Sequence, residues 1–246
     1  MSNEELEMKL LKGSVITIED IKIKPLLIED IIDNPNIGYD RYLELIGVMG
    51  ADKSTLQDIS PEQLEEIKTF DIFIFNQDLM KLLLDFLKLF LQCPNISYAE
   101  EHQIIIIDYD VNQAYIHRDN YDKIIDIFRK IYCIHISKES KYNPANEQAR
   151  ALIEKIRQRD IELARLKHKN EINLFSIISG VAWKSPNLNI FDVFKLTVFQ
   201  LYDAYYRLEI IDNCKYTMTG MYAGTIDSKN IKQDELTWVK KYNPFS

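Results

Sequence analysis

The chain has 246 residues, 46% of them hydrophobic and 28% charged, with a formal net charge of −8. That length holds one large domain or two small ones, and the apolar content supplies a core without staples, which excludes a disordered chain. Seven glycines and seven prolines are too few for a turn-rich all-β fold or for Gly-rich phosphate loops. Cys93, Cys133 and Cys214 are far apart and form no CxxC, which argues against a disulfide framework or a four-ligand zinc site and for a reducing compartment.

The N-terminal Met1–Lys9 is acidic and lacks the basic and apolar regions of a signal peptide. The most apolar window, Leu79–Leu91, is broken by Lys81, Asp85 and Lys88 and is too short to span a bilayer. A protein free of the membrane is expected.

The first elements read as a β-hairpin. Ser14–Ile18 and Ile21–Pro25 alternate, with Glu19-Asp20 between them as a two-residue turn. Short helices follow at Leu27–Ile32 and Tyr39–Met49. Ser60-Pro61-Glu62-Gln63 is a helix start, with a Ser cap, Pro at the first position and Gln three residues after the cap. Phe70–Phe75 is ambiguous between strand and helix. Asn76 caps a helix over Gln77–Gln92, closed by Cys93-Pro94-Asn95.

A small β insert comes next. Gln103–Asp108 is a strand, and Ala114–Ile116 is its partner across a turn. Asp119 is read as the cap of a helix over Asn120–Tyr132, with Ile124, Ile127, Phe128 and Ile131 on one face. The polar Lys138–Asn143 reads as a linker. A long helix over Ala145–Lys169 carries Leu152, Ile156 and Leu163 on a heptad-like track. Helices over Ile172–Lys184, Ile190–Lys195 and Thr197–Asp212 follow. Gly220 and Gly224 are read as loop markers, and Asp234–Lys240 as a last short helix. The expected fold is therefore α+β and predominantly α-helical. An N-terminal α+β region (residues 1–137) and a linker (138–143) precede a long charged helix with an aromatic-rich helical subdomain (144–246).

No reaction motif is present. His102, beside Glu100-Glu101, is explained as a surface histidine before a strand, and no HxH or HExxH occurs. Asp108 and Asp110 end an apolar strand, where Mg²⁺ ligands of nucleases stand, but no ExK follows and both residues are good turn formers. Cys133-Ile134-His135 is the one close thiol–imidazole pair, and its spacing is poor for a nucleophile. No catalytic residue, cofactor site or metal site is assigned.

Charge is uneven. Residues 1–92 carry 18 acidic against 9 basic side chains, whereas residues 150–169 carry 7 basic against 3 acidic. The basic stretch is the one nucleic-acid candidate, but acidic residues dilute it and no aromatic side chain interleaves for base stacking. A solvated helix face is the simpler account. The C-terminal part is crowded with aromatics, from Trp183 and Phe191 through Phe199, Tyr202, Tyr205 and Tyr206 to Trp238 and Tyr242. They read first as a large aromatic core, and otherwise as an exposed interface, since Tyr and Trp are enriched at hot spots.

Three segments carry a resemblance: Met8–Ile32, with its PLLIEDII run, Phe175–Asp212, and the tail Met218–Lys241. Together they resemble tail assembly chaperones encoded in the tail-gene clusters of long-tailed phages of low-GC Gram-positive bacteria. The resemblance implies a non-enzymatic morphogenesis factor in the host cytoplasm. Such a factor binds the helical tape-measure protein, or other tail proteins, before the tube polymerises. Self-association along the client is compatible with it. The insert Asn95–Ile116 and the helix Ala145–Lys169 depart from the smallest such chaperones and leave open a minor structural tail or baseplate protein. A metal-dependent nuclease or nucleic-acid binder ranks third. The client contacts expected are Leu152, Ile156 and Leu163 on the long helix, and Tyr202 and Tyr206 on the aromatic helix.

Overall fold

The computed structural model describes residues 2–34, 38–51, 66–110, 112–134, 173–227, 231–232 and 236–239. The helix start at Ser60, the linker at Lys138–Asn143 and the helix expected over Ala145–Lys169 lie outside these residues, as do Asp234, Glu235 and Lys240 of the last expected helix.

The chain opens with a helix that the sequence reading lacked, α1 (Asn3–Lys12). Its signals are local. Ser2 Oγ accepts from the Glu5 amide at 3.1 Å, and Gly13 ends the helix in the left-handed region at φ 68°. Leu6 and Leu10, one turn apart, are its buried residues.

The hairpin follows as expected, with β1 (Ile16–Ile18) antiparallel to β2 (Ile21–Ile23). Glu19 and Asp20 both have positive φ, 46° and 66°, as the favoured two-residue hairpin turn requires. α2 (Ile28–Ile32) comes next, and the Leu27 amide donates to Asp30 Oδ2 at 3.0 Å at its start.

The central part holds α3 (Gly38–Met49), α4 (Thr69–Ile74) and α5 (Gln77–Phe90). Phe70–Phe75 is thus helical. Asn76 caps α5 as read, its Oδ1 accepting from the Asp78 and Leu79 amides. A three-stranded antiparallel sheet then forms from β3 (Ile96–Ala99), β4 (Ile104–Asp108) and β5 (Gln113–Ile116), with β4 in the middle. Strand β3 was not read from the sequence, although Ile96 and Tyr98 alternate with polar neighbours after Pro94. Its pairing of Ile96 with Ile107 needs the β4 partner to show.

α6 (Tyr121–Ile131) buries Ile124, Ile127, Phe128 and Ile131, the face expected. Its cap position is Asn120 rather than Asp119. Asn120 Oδ1 accepts from the His117 amide at 2.8 Å and Nδ2 donates to the Tyr115 carbonyl at 2.9 Å, which braces the turn from β5. Asp119 faces outward and pairs with Lys68 at 2.5 Å.

The last described helices are α7 (Leu174–Lys184), α8 (Ile190–Phe194) and α9 (Val198–Tyr222). Thr197 caps α9 as expected, in a reciprocal box with Gln200. That helix runs ten residues past Asp212 and contains Gly220, which is therefore not a loop marker. Gly224, at φ 71°, is the residue that turns the chain.

Long-range contacts, backbone and side-chain, tie the N-terminus to these last helices. The Ile28 amide donates to the Leu196 carbonyl at 2.9 Å, Leu27 bridges Thr197, and Gln200 Nε2 donates to the Leu11 carbonyl at 2.8 Å. Helix α9 also packs on α6 and α7, and α3 on α5 and α6. The result is a predominantly helical α+β fold with two small sheets around one apolar cluster.

Candidate partner-binding surface

The aromatic residues divide by environment. Phe70, Phe73, Phe86, Phe90, Tyr121 and Phe128 are fully buried, and their rings meet tilted or edge-on at 4.6–6.3 Å. These lie on α4, α5 and α6. The C-terminal helices were expected to hold the large aromatic core, and they do not. Of their aromatics Phe199 alone is buried among the described residues, while Phe175 is 77%, Trp183 87%, Phe191 76% and Tyr222 86% exposed. The difference is geometric. Helices α7 and α8 bury aliphatic residues such as Ile177, Val181 and Val193 toward the core, with Phe194 partly buried against it, while Phe175, Trp183 and Phe191 fall on the outer side. Phe175, Ser179 and Trp183 follow one another at i, i+4, i+8, so a single row of α7 carries two exposed rings.

A tyrosine cluster sits where α3, α6 and α9 meet. Tyr39 and Tyr42 stack at 6.2 Å, and Tyr42 meets Tyr132 edge-on at 6.4 Å. On α9, Tyr202 and Tyr206 are 6.4 Å apart, and Tyr205 meets Tyr206 edge-on at 5.2 Å. Burial first, and then the neighbouring Tyr132 and Tyr202, push the Tyr42 phenol well above its ordinary value. The cluster grades from buried Tyr42 and Tyr132, through half-buried Tyr202, Tyr205 and Tyr206, to exposed Tyr39.

Burial pushes every shifted phenol in this cluster up, Tyr202 to about 12. These rings therefore keep their hydroxyl protons at neutral pH and offer neutral donors. The Cys133 thiol, beside them, is pushed up to about 12 by burial and then by the Asp203 carboxylate. It is a protonated thiol at neutral pH and a poor nucleophile. Burial raises Asp203 in turn, tempered by Arg207.

The sequence picked out Tyr202 and Tyr206 because they share a helical face. It did not bring in Tyr39, Tyr42 and Tyr132, which arrive from other elements. Phe175 was also missed, though its i, i+4, i+8 row with Trp183 was readable. Leu152, Ile156 and Leu163 lie outside the described residues.

The other candidates have local work. Asp108 Oδ1 accepts from the Asp110 amide at 3.1 Å, and Asp110 takes φ 66°, the geometry of a turn. His102 is exposed on a single 3₁₀ turn, Glu100–His102, between β3 and β4. Among the described residues no group of three or more His, Cys, Asp or Glu side chains is placed to hold a metal ion. An open groove of about 1040 Å³ runs beside α2, α3 and α5, lined by Lys24, Asp30, Asp33, Arg41, Asp85 and Lys88. Its charges are mixed, and Arg41 spans Glu44 and Asp85 at 2.5 and 2.7 Å. No described helix is long and apolar enough to cross a membrane.

The fold and its surface define a helical α+β protein that exposes aromatic side chains from its last helices. Residues 167–243 match the family model of the YomV second domain. That family is phage-derived, of the Bacillus phage SPbeta-like kind, and the match points to a phage protein. No curated protein and no solved structure matches the chain.

Proposed function

We propose that this protein is a non-enzymatic phage morphogenesis factor, a tail assembly chaperone that holds the tape-measure protein before the tube polymerises. The observation that carries the reading is the exposure of Phe175, Trp183 and Phe191 within the segment similar to a phage-derived family. Large exposed aromatics are costly to solubility unless a partner covers them. A helical client offers matching apolar stripes, and aromatic anchors spaced along a helix suit a helix-in-groove contact. The tyrosine cluster adds hydroxyl donors that tolerate many client sequences. An acidic chain, at −8, keeps a coated client dispersed.

Affinity purification of the tagged protein from phage-producing cells tests the reading. Co-purification of a long tape-measure protein, lost in a Phe175→Ser, Trp183→Ser variant, is the expected result. Stable recovery of this chain in purified particles would instead make it a structural component. Mg²⁺-dependent DNA cleavage abolished by Asp108→Asn would make it a nuclease.

A further inference from the structure

Helix α1 is apolar on two sides. Leu6 and Leu10 are buried against the core, at 5% and 1% exposure. Met8 and Leu11, three residues apart, share the opposite side and are 69% and 46% exposed. Gly13 ends the helix, and Val15 just beyond it is 47% exposed. A surface helix ordinarily needs one apolar stripe, the one that faces the core. The setting of α1 is fixed near both ends. Gln200 Nε2 donates to the Leu11 carbonyl at 2.8 Å, and Lys130 Nζ donates to Asn3 Oδ1 at 3.3 Å. The second stripe therefore stays outward.

The charges of α1 are ordered along it. Its first turn carries Glu4 and Glu5, and its last turn carries Lys9 and Lys12. Lys9 pairs with Glu5 inside the helix at 3.2 Å. Lys12 has no ion pair among the described residues. Residues 3–12 hold three acidic and two basic side chains, close to balance in a chain whose net charge is −8. Two copies meet here against less repulsion than the chain as a whole would give.

We propose that the outward side of α1 is a self-association surface, on which a second copy of this chain lays its own α1 antiparallel across a two-fold axis. A two-fold contact uses each residue twice, so a short face serves. Antiparallel pairing sets Met8 of one copy against Leu11 of the other, and Val15 extends the contact at both ends. It brings the basic last turn of each helix beside the acidic first turn of the other, with Lys12 within a turn of Glu5 of the second copy. The two helix dipoles then oppose each other, whereas parallel pairing would set like charges side by side. A helix of ten residues is about 15 Å long, so the association is weak and reversible. The pairing rests on α1 alone and does not depend on the phage reading.

The test is sedimentation velocity of the full chain from about 5 to about 500 µM, the range in which a small interface shows its equilibrium. The wild-type chain shifts from monomer to dimer across it. Met8→Ser with Leu11→Ser, both outward, weakens association at least about tenfold and leaves the melting midpoint unchanged. Lys12→Glu weakens it about threefold, because each copy then sets a carboxylate beside Glu5 of the other. Reversing Glu5→Lys and Lys9→Glu as well keeps the pair inside the helix and restores association. A chain that stays monomeric throughout overturns the proposal. So does a dimer untouched by the Met8 and Leu11 substitutions, including one lost instead in Phe175→Ser, Trp183→Ser, which would put the contact on α7. Failure of the reversed charges to rescue Lys12→Glu overturns the antiparallel pairing on which the proposal stands.

Discussion

The central helices and the last helices use aromatic residues in opposite ways. On α5 and α6, Phe86, Phe90 and Phe128 are sealed inside, ring against ring, at 0% exposure. On α7 and α8, Phe175, Trp183 and Phe191 stand in solvent while smaller aliphatic residues do the packing. Aromatic content therefore says little about burial. What decides is which helical row the rings occupy and whether a neighbouring element reaches that row. In the centre, α3, α4 and the sheet supply the facing layer; on the outer side of α7 no described element does so.

Substitutions should separate the two regions sharply. Truncating Phe90 to Ala removes a ring that touches Tyr42, Phe86, Phe128 and Tyr132. A loss of about 3–5 kcal/mol is expected, read from urea unfolding at unchanged slope. The corresponding change at Trp183 should stay within about 0.5 kcal/mol of wild type. A loss at Trp183 comparable to that at Phe90 would erase the distinction.

A polar clasp in the central region gives the next effect. The buried Asp71 accepts from the Lys68 amide at 2.8 Å and from Arg118 Nε and Nη2 at 3.0 and 2.8 Å. Asp71→Ala leaves these donors without their shared acceptor and should destabilise by about 1–3 kcal/mol in the same measurement. Arg118 is half-exposed, so water recovers part of the loss.

The junction between the regions should show itself at alkaline pH. Cys133 and Tyr202 have raised folded-state values, each about 12, against ordinary values of 9.0 and 10.0. The folded state holds these protons more tightly than the unfolded chain. Stability from these groups is full below pH 9 and declines as pH rises from about 9 to about 12. Cys133→Ser and Tyr202→Phe should each flatten that decline in thermal melts taken across the window. A midpoint that falls equally steeply in both variants would place the alkaline loss elsewhere.

The smallest expected change in stability, and the largest in binding, belongs to the outer surface. Phe175→Ser with Trp183→Ser should leave the melting midpoint within a degree or two of wild type. The same pair should abolish capture of the tape-measure protein. Binding that survives it moves the contact to the tyrosine cluster, where Tyr206→Ala is the next variant to test.

Much of the local structure was legible because it rests on short-range chemistry. The hairpin turn at Glu19-Asp20, the caps at Asn76 and Thr197, and the buried face of α6 each involve residues within a few positions of one another. The misses have particular causes. At α1 the Ser2 and Glu5 cap signal was present and went unread. Strand β3 is short and shows itself through its partner β4. The cap at Asp119 was displaced by one residue because Asn120 serves β5 and Lys68 draws Asp119 outward.

The sequence by itself determined the helical α+β class, the hairpin, the absence of a reaction motif and the helical face shared by Tyr202 and Tyr206. Tertiary structure alone decided two further things. It brought Tyr42 and Tyr132 to those tyrosines, and it left Trp183 and Phe175 in solvent. Each depends on contacts between residues or elements that no local periodicity encodes, because burial is a property of what lies opposite a residue rather than of the residue itself.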